Sequence, residues 1–190
     1  MIDSIETDRL ILRNLESKDA QGMFELDSDP EVLIYLGGNP LTSIEQSKEI
    51  IKNVHKQYEK NGIGRWAIIE KSTNEFVGWT GLKYEEKVRK EFSYYDLGYR
   101  LKKKFWGKGI ATETALISLD YGFNDLNLEK ICATAHSKNI GSNKVIQKMG
   151  FTLIDAIQID DTPCNWYELS NANWQKNSII YSSRSSKTYP

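Results

Sequence analysis

The chain is poor in the residues that build metal centres and disulfide frameworks. It has two cysteines, Cys132 and Cys164, with no CxxC pair, and two histidines, His55 and His136, so no metal and no disulfide scaffold are expected. No apolar run approaches the length that spans a bilayer. The first residues, Met1-Ile2-Asp3-Ser4-Ile5-Glu6, lack a cationic start followed by an apolar stretch, so a cytoplasmic location is expected and a membrane is not an expected partner. Charge of either sign is not in excess: 25 Lys and Arg stand against 26 Asp and Glu, a formal net charge of −1. This gives no general attraction to nucleic acid, and any basic site must be local. With 190 residues, 39% hydrophobic and 27% charged, the chain suits one globular domain over residues 1–174. Residues 175–190 turn to Ser, Lys, Asn and Tyr without periodicity and read as a flexible tail.

What the chain does have is a glycine pair in a telling place. In Lys104-Phe105-Trp106-Gly107-Lys108-Gly109-Ile110-Ala111-Thr112, the two glycines follow a strand-like segment and precede a helical one. Glycines let backbone N–H groups converge on one spot, and a helix starting there adds the positive end of its dipole, which suits a phosphate or pyrophosphate. A plain turn is the alternative. A dinucleotide fingerprint would need Gly or Ala where Thr112 stands, and a Walker A loop is absent, so neither of those phosphate-binding folds applies.

The flanking segments supply the context. Residues 5–13 alternate Leu10 and Leu12 against Arg9, Ile11 and Arg13 and read as a strand. A helix capped by Ser17 follows, with Asp19 in its first turn and Met23, Phe24 and Leu26 on its apolar face; Pro30 then opens a short helical piece. Ser43 and Gln46 form a capping box for a long amphipathic helix that runs to Asn61-Gly62, on which His55 reads as a solvated surface residue. Residues 65–70, 76–84 and 92–101 read as a three-strand meander. In the third strand Tyr95, Leu97, Tyr99 and Leu101 share one face and Tyr94, Asp96, Gly98 and Arg100 the other. After the glycines come a helix with Ala111, Ala115, Leu119, Gly122 and Phe123 on one stripe, a strand at 129–136, a helix capped by Asn139 and closed by Gly150, and a strand pair at 151–159 and 164–169.

This order of elements, together with Thr7-Asp8-Arg9-Leu10-Ile11-Leu12-Arg13, Gly98-Tyr99, Phe105-Trp106-Gly107-Lys108-Gly109 and Asn139-Ile140-Gly141-Ser142 through Lys148-Met149-Gly150-Phe151, resembles the GCN5-related N-acetyltransferase (GNAT) family. Within it the motifs are similar to the branch that acetylates N-terminal amines of ribosomal proteins. The family signature begins with Gln or Arg where this chain has Lys104. The resemblance implies a mixed α/β fold: a central, mostly antiparallel sheet of about seven strands with one splayed parallel pair and helices on both faces. It also implies acetyl-coenzyme A (acetyl-CoA) as donor. The pantetheine arm would lie along Tyr99 and Leu101, the pyrophosphate on Trp106, Gly107, Lys108, Gly109, Ile110, Ala111 and Thr112 beside Lys104, with Asn139 and Ser142 nearby. Arg100, Lys102 and Lys103 add positive charge there or form a solvated run.

Direct transfer to an amine needs a proton acceptor, since an ammonium has no lone pair. Asp96 is the candidate base, with a plain strand aspartate as the alternative; Glu113 is already explained by the helix dipole. Many family members place a tyrosine seven residues after the motif asparagine, but here that position is Ile146, so Ser142 is the expected donor to the departing thiolate. It would also serve the helix capped by Asn139. Trp66, Trp79, Tyr35 and Trp166 line an acceptor pocket or pack in the core, and His136 reads as structural. The resemblance favours a protein N-terminus as acceptor, then a small amine such as a polyamine, an amino acid or an antibiotic. A non-catalytic coenzyme A-binding sensor is the rival, and a monomer or homodimer is expected.

Overall fold

The computed structural model describes residues 4–37, 39–89 and 91–176; most of the expected tail and the first three residues lie outside the described residues. The chain opens with a hairpin, β1 (Ile5–Glu6) and β2 (Leu10–Asn14), where alternation predicts a single strand. Thr7 is the reason. Its Oγ1 accepts the backbone N–H groups of Arg9 and Leu10, at 3.3 and 3.0 Å, and folds the chain back on itself. This split brings the sheet to eight strands instead of about seven.

A single 3₁₀ turn, Ser17–Asp19, then leads into α1 (Ala20–Asp27). The turn is capped by Glu16, where the sequence predicts Ser17 as the helix cap, because Asp19 accepts the Glu16 backbone N–H at 2.8 Å and is itself held by Arg13 at 2.7 Å. Pro30 opens α2 (Pro30–Leu33), and α3 (Ile44–Asn61) starts on the expected Ser43–Gln46 capping box and ends on left-handed Gly62. His55 is not merely solvated: its Nε2 lies 2.6 Å from the Leu15 carbonyl oxygen, tying α3 to the end of β2.

The meander is present as β3 (Arg65–Glu70), β4 (Glu75–Glu85) and β5 (Tyr94–Leu101), all antiparallel. Then come α4 (Ile110–Asp120), β6 (Lys130–His136), α5 (Ile140–Lys148), β7 (Thr152–Ile159) and β8 (Thr162–Ser170). The spatial order is β1-β2-β3-β4-β5-β6-β8-β7, and only the β5–β6 contact is parallel. That contact joins two halves of the sheet.

Each face is covered by helices, as the alternation of side chains requires. On one face α1 and α3 pack Met23, Leu26, Ile51, Val54 and Tyr58 against Ala67, Ile69 and Phe76. On the other, Leu10, Leu12 and Leu101 meet Ile110 and Ile117 of α4, while Leu97, Leu119, Phe123, Ile131 and Ile146 form a second cluster that reaches α5. Leu10 and Leu12 are wholly buried, each contributing about 1.5–3 kcal/mol of burial. Past β8, residues 171–176 are helical; Trp174 stacks on Phe123 and the Gln175 amide donates to Asn124 at 2.9 Å.

Candidate active site

The cleft arises from a mismatch in pairing. β5 stays in register with β4 as far as Leu101, and β6 with β8 as far as His136, yet β5 and β6 meet at a single paired position, Asp96 opposite Cys132. Beyond it they part. The β6-facing edge of β5 from Leu97 to Leu101 is therefore open, and its backbone polar groups can accept an extended ligand as a sheet edge accepts a strand.

At the far end of that edge stands the glycine turn. Phe105 is buried and anchors it, and the Trp106 indole N–H donates to the Leu101 carbonyl at 2.8 Å, so Leu101 has this oxygen engaged and its side chain in the core. Gly107 and Gly109 have φ of 72° and 77°, the left-handed region that glycine alone enters freely. Gly109 is the N-cap of α4, so the N–H groups of Ile110, Ala111 and Thr112 open toward the turn without intrahelical partners. The left-handed glycines and the helix start match the local backbone that the sequence predicted, and N–H groups so exposed are of the kind that can receive an anion.

Arg9 steadies the turn from outside. Its guanidinium donates to the Lys108 carbonyl at 3.0 Å and to Glu113 at 2.6 Å, which assigns Glu113 a structural partner. The neighbouring cations have acidic partners too: Lys104 pairs with Glu75 at 2.6 Å, Lys102 with Glu25 at 2.6 Å, Lys103 with Glu31 and Arg100 with Asp27. Lys108 lies over the Phe105 ring at 5.2 Å. The turn thus offers an anion mainly backbone N–H groups.

Nearer the vertex, Ser142 and Tyr99 come together across the opening, Oγ to hydroxyl at 3.0 Å. Burial pushes the Tyr99 hydroxyl up to about 12, so at neutral pH it is a donor. Asn139 caps α5, accepting the Ser142 backbone N–H at 3.0 Å. The adjacent Asn143, which the sequence did not single out, fixes this corner with four bonds. Its amide donates to the His136 and Asn139 carbonyls at 2.9 and 2.7 Å, and its oxygen accepts from Asn165 and from the Tyr167 hydroxyl at 2.8 and 2.6 Å.

Asp96 sits at the vertex on the opposite face of β5 from Tyr99, as the strand alternation predicts. Its side chain is 18% exposed and pairs with Arg65 of β3 at 2.5 Å. Burial pushes the Asp96 carboxyl up from its ordinary value, and the Arg65 guanidinium pulls it part of the way back. Across the register Cys132 is wholly buried, and burial pushes its thiol up to about 12, so it supplies no thiolate nucleophile.

The four aromatic candidates separate. Trp66 is buried and packs edge-on against Tyr121 on the α4 face, away from Asp96. Trp79 lies on the Asp96 face under Arg65 and Arg100. Trp166 is buried against Tyr94 at 4.7 Å on that same face, and Tyr35 packs tilted against His136 at 5.3 Å, at the end of β6. Among the described residues no group of three His, Cys, Asp or Glu is placed to hold a metal ion, and no helix is long and apolar enough to cross a membrane.

The family model for the acetyltransferase (GNAT) domain matches residues 9–152. The uncharacterized N-acetyltransferase YoaA of Bacillus subtilis is 36% identical over 152 residues, 80% of this chain and 84% of that one. The ribosomal-protein-S5-alanine acetyltransferase of Vibrio fischeri shares the fold, with a TM-score of 0.72 at 20% identity over 90% of this chain and 98% of that one. So does the spermidine N-acetyltransferase of Vibrio cholerae in complex with CoA and spermine, with a TM-score of 0.72 at 18% identity over 89% of this chain and 99% of that one.

Proposed function

The chain belongs to the GNAT acetyltransferase family, and from that premise we propose that it moves an acetyl group from acetyl-CoA directly to the α-amine of a peptide or protein. The observation that carries this reading is the single paired position Asp96–Cys132. It leaves an open β5 edge that runs from a candidate base at the vertex to a backbone anion site at the glycine turn. The turn's N–H groups suit a coenzyme pyrophosphate, and the edge suits the amide-bearing pantetheine arm.

The chemistry follows from the two faces of β5. A neutral amine attacks the thioester carbonyl, the C–S bond breaks, and one proton must leave the nitrogen while the sulfur takes up charge. Asp96 receives the proton, because a buried carboxylate is a stronger base than a solvated one. On the other face Tyr99 donates to Ser142 and Ser142 to the thiolate, whose ordinary pKa of about 8.5 makes modest help sufficient. No enzyme nucleophile is used, in keeping with the buried Cys132.

Acceptor preference follows from charge. The carboxylates on the Asp96 face each hold a cation: Asp96 with Arg65, Asp27 with Arg100, Glu85 with Lys83 and Glu168 with Lys130. Such a face offers little to a polycation. An α-amine, with an ordinary pKa of about 8 against about 10.4 for a lysine, also needs less help to shed its proton. The likeness to a spermidine acetyltransferase favours a polyamine as the second reading. Release of free coenzyme A thiol from acetyl-CoA, measured over peptides with free and blocked α-amines, spermidine and small amines, tests the proposal. Turnover with free α-amine peptides is expected. Turnover with spermidine alone would establish the second reading, and coenzyme binding without thiol release would mark a sensor.

A further inference from the structure

The pairing of Asp96 reaches further than one ion pair, because the Arg65 guanidinium is held on several sides at once. Its Nη1 donates to the Asp96 backbone carbonyl at 2.8 Å and to the Gly81 carbonyl, and its Nη2 donates to Asp96 Oδ2 at 2.5 Å. The guanidinium lies over Trp79, 5.3 Å from the ring centroid. On the same ring, at 5.2 Å, lies Arg100, which is fixed by Asp27 of α1. The remaining side is closed by Gly98: a Cβ built on that residue would fall 2.6 Å from Arg65 Nη2. Gly98 is therefore the residue that leaves room for the guanidinium, and three strands and α1 cooperate to seat it.

We propose that Arg65 is the positioning residue of this site, held by Trp79 and Gly98 so that it keeps the Asp96 carboxylate turned with one oxygen free for the acceptor amine. The inference rests on the reading of Asp96 as the base. Arg65 takes only Oδ2, and among the described residues no donor engages Oδ1. A fork that gripped both oxygens would quench the base, whereas a one-oxygen grip also anchored on two backbone carbonyls fixes orientation and leaves a basic lone pair exposed. Lysine could not replace it, since a point charge cannot bond two carbonyls and a carboxylate in one plane.

The other charged and titratable groups near Asp96 are Lys83 and Glu85 of β4, Tyr94 of β5 and Cys132 of β6. Lys83 is occupied by Glu85 at 2.5 Å, and the Tyr94 hydroxyl and Cys132 thiol are both pushed well above neutrality by burial. Arg65 is thus the main cation that opposes the burial of Asp96, with a smaller contribution from Lys83 that Glu85 offsets. The sign follows. A base works when deprotonated, so the acidic limb of kcat/KM tracks the Asp96 pKa, and removing the opposing cation moves that limb to higher pH.

The test compares pH–rate profiles of wild type, Arg65→Met, Arg65→Lys, Gly98→Ala and Asp96→Asn, with KM for acetyl-CoA measured on each. Arg65→Met is expected to move the acidic limb up by about one to three pH units, with activity recovering at high pH. Arg65→Lys is expected to shift it less. Gly98→Ala, which alters no charge and displaces the guanidinium, is expected to shift it in the same direction. If Asp96→Asn removes the limb while Arg65→Met and Gly98→Ala leave it in place, the role of Arg65 is overturned and Asp96 stands as the base. If Asp96→Asn leaves the limb unmoved, both readings fall. Should Arg65→Met not fold, carbon NMR titration of the Asp96 carboxyl in Gly98→Ala decides: an unmoved midpoint overturns the proposal.

Discussion

The two ends of the cleft are built by different means. The glycine turn, proposed to hold the coenzyme pyrophosphate, takes its groups from one contiguous stretch, residues 104–112, and from backbone N–H groups that two left-handed glycines and a helix start expose. The vertex draws on Asp27 of α1, Arg65 of β3, Trp79 of β4 and Asp96 with Gly98 of β5, side chains brought together only by the sheet. The first kind of site tolerates side-chain change and is broken through its backbone. The second is broken by any member that loses its partner.

The sharpest separation of the two ends comes from Asp96→Asn. With it kcat is expected to fall by about 10²- to 10⁴-fold, the usual worth of a positioned general base, with acetyl-CoA affinity unchanged by calorimetry. Gly107→Val should do the reverse. No atom stands within 4 Å of its Cβ position, so the damage comes from φ of 72° alone, and a strain of about 1–2 kcal/mol weakens acetyl-CoA binding by about 5- to 30-fold. Ser142→Ala removes one hydroxyl bonded to Tyr99; it should lower kcat by about 3- to 10-fold without changing the affinity of either substrate. The smallest effect is expected for Lys104→Ala, below about twofold on acetyl-CoA affinity, because an exposed lysine paired with Glu75 adds little to a backbone site.

The same contrast explains what could be read from the chain. The meander, the capping box of α3, the glycine turn and the faces of β5 follow from residues a few positions apart, and the sequence predicts each of them. The first hairpin did not follow, because one Thr7 hydroxyl overrides an alternation that favours a continuous strand. Glu16 took the capping role from Ser17 through a bond to Asp19, whose own position depends on Arg13. Arg65 and Asp96 lie 31 residues apart, Arg9 and Glu113 are 104 apart, and Asn143 meets Tyr167 across 24. No local pattern marks such pairs. The nearest signal was Gly98, a glycine inside a strand, which points to a close approach by another group.

The claim that the Asp96 face serves an α-amine is tested most directly by a peptide with one free α-amine and one lysine, offered together with equimolar spermidine and acetyl-CoA at neutral pH. Mass spectrometry then locates the acetyl group. Acetylation at the α-amine of the peptide ahead of both competitors is expected; acetyl on the lysine ε-amine or on spermidine as the first product would contradict the assignment.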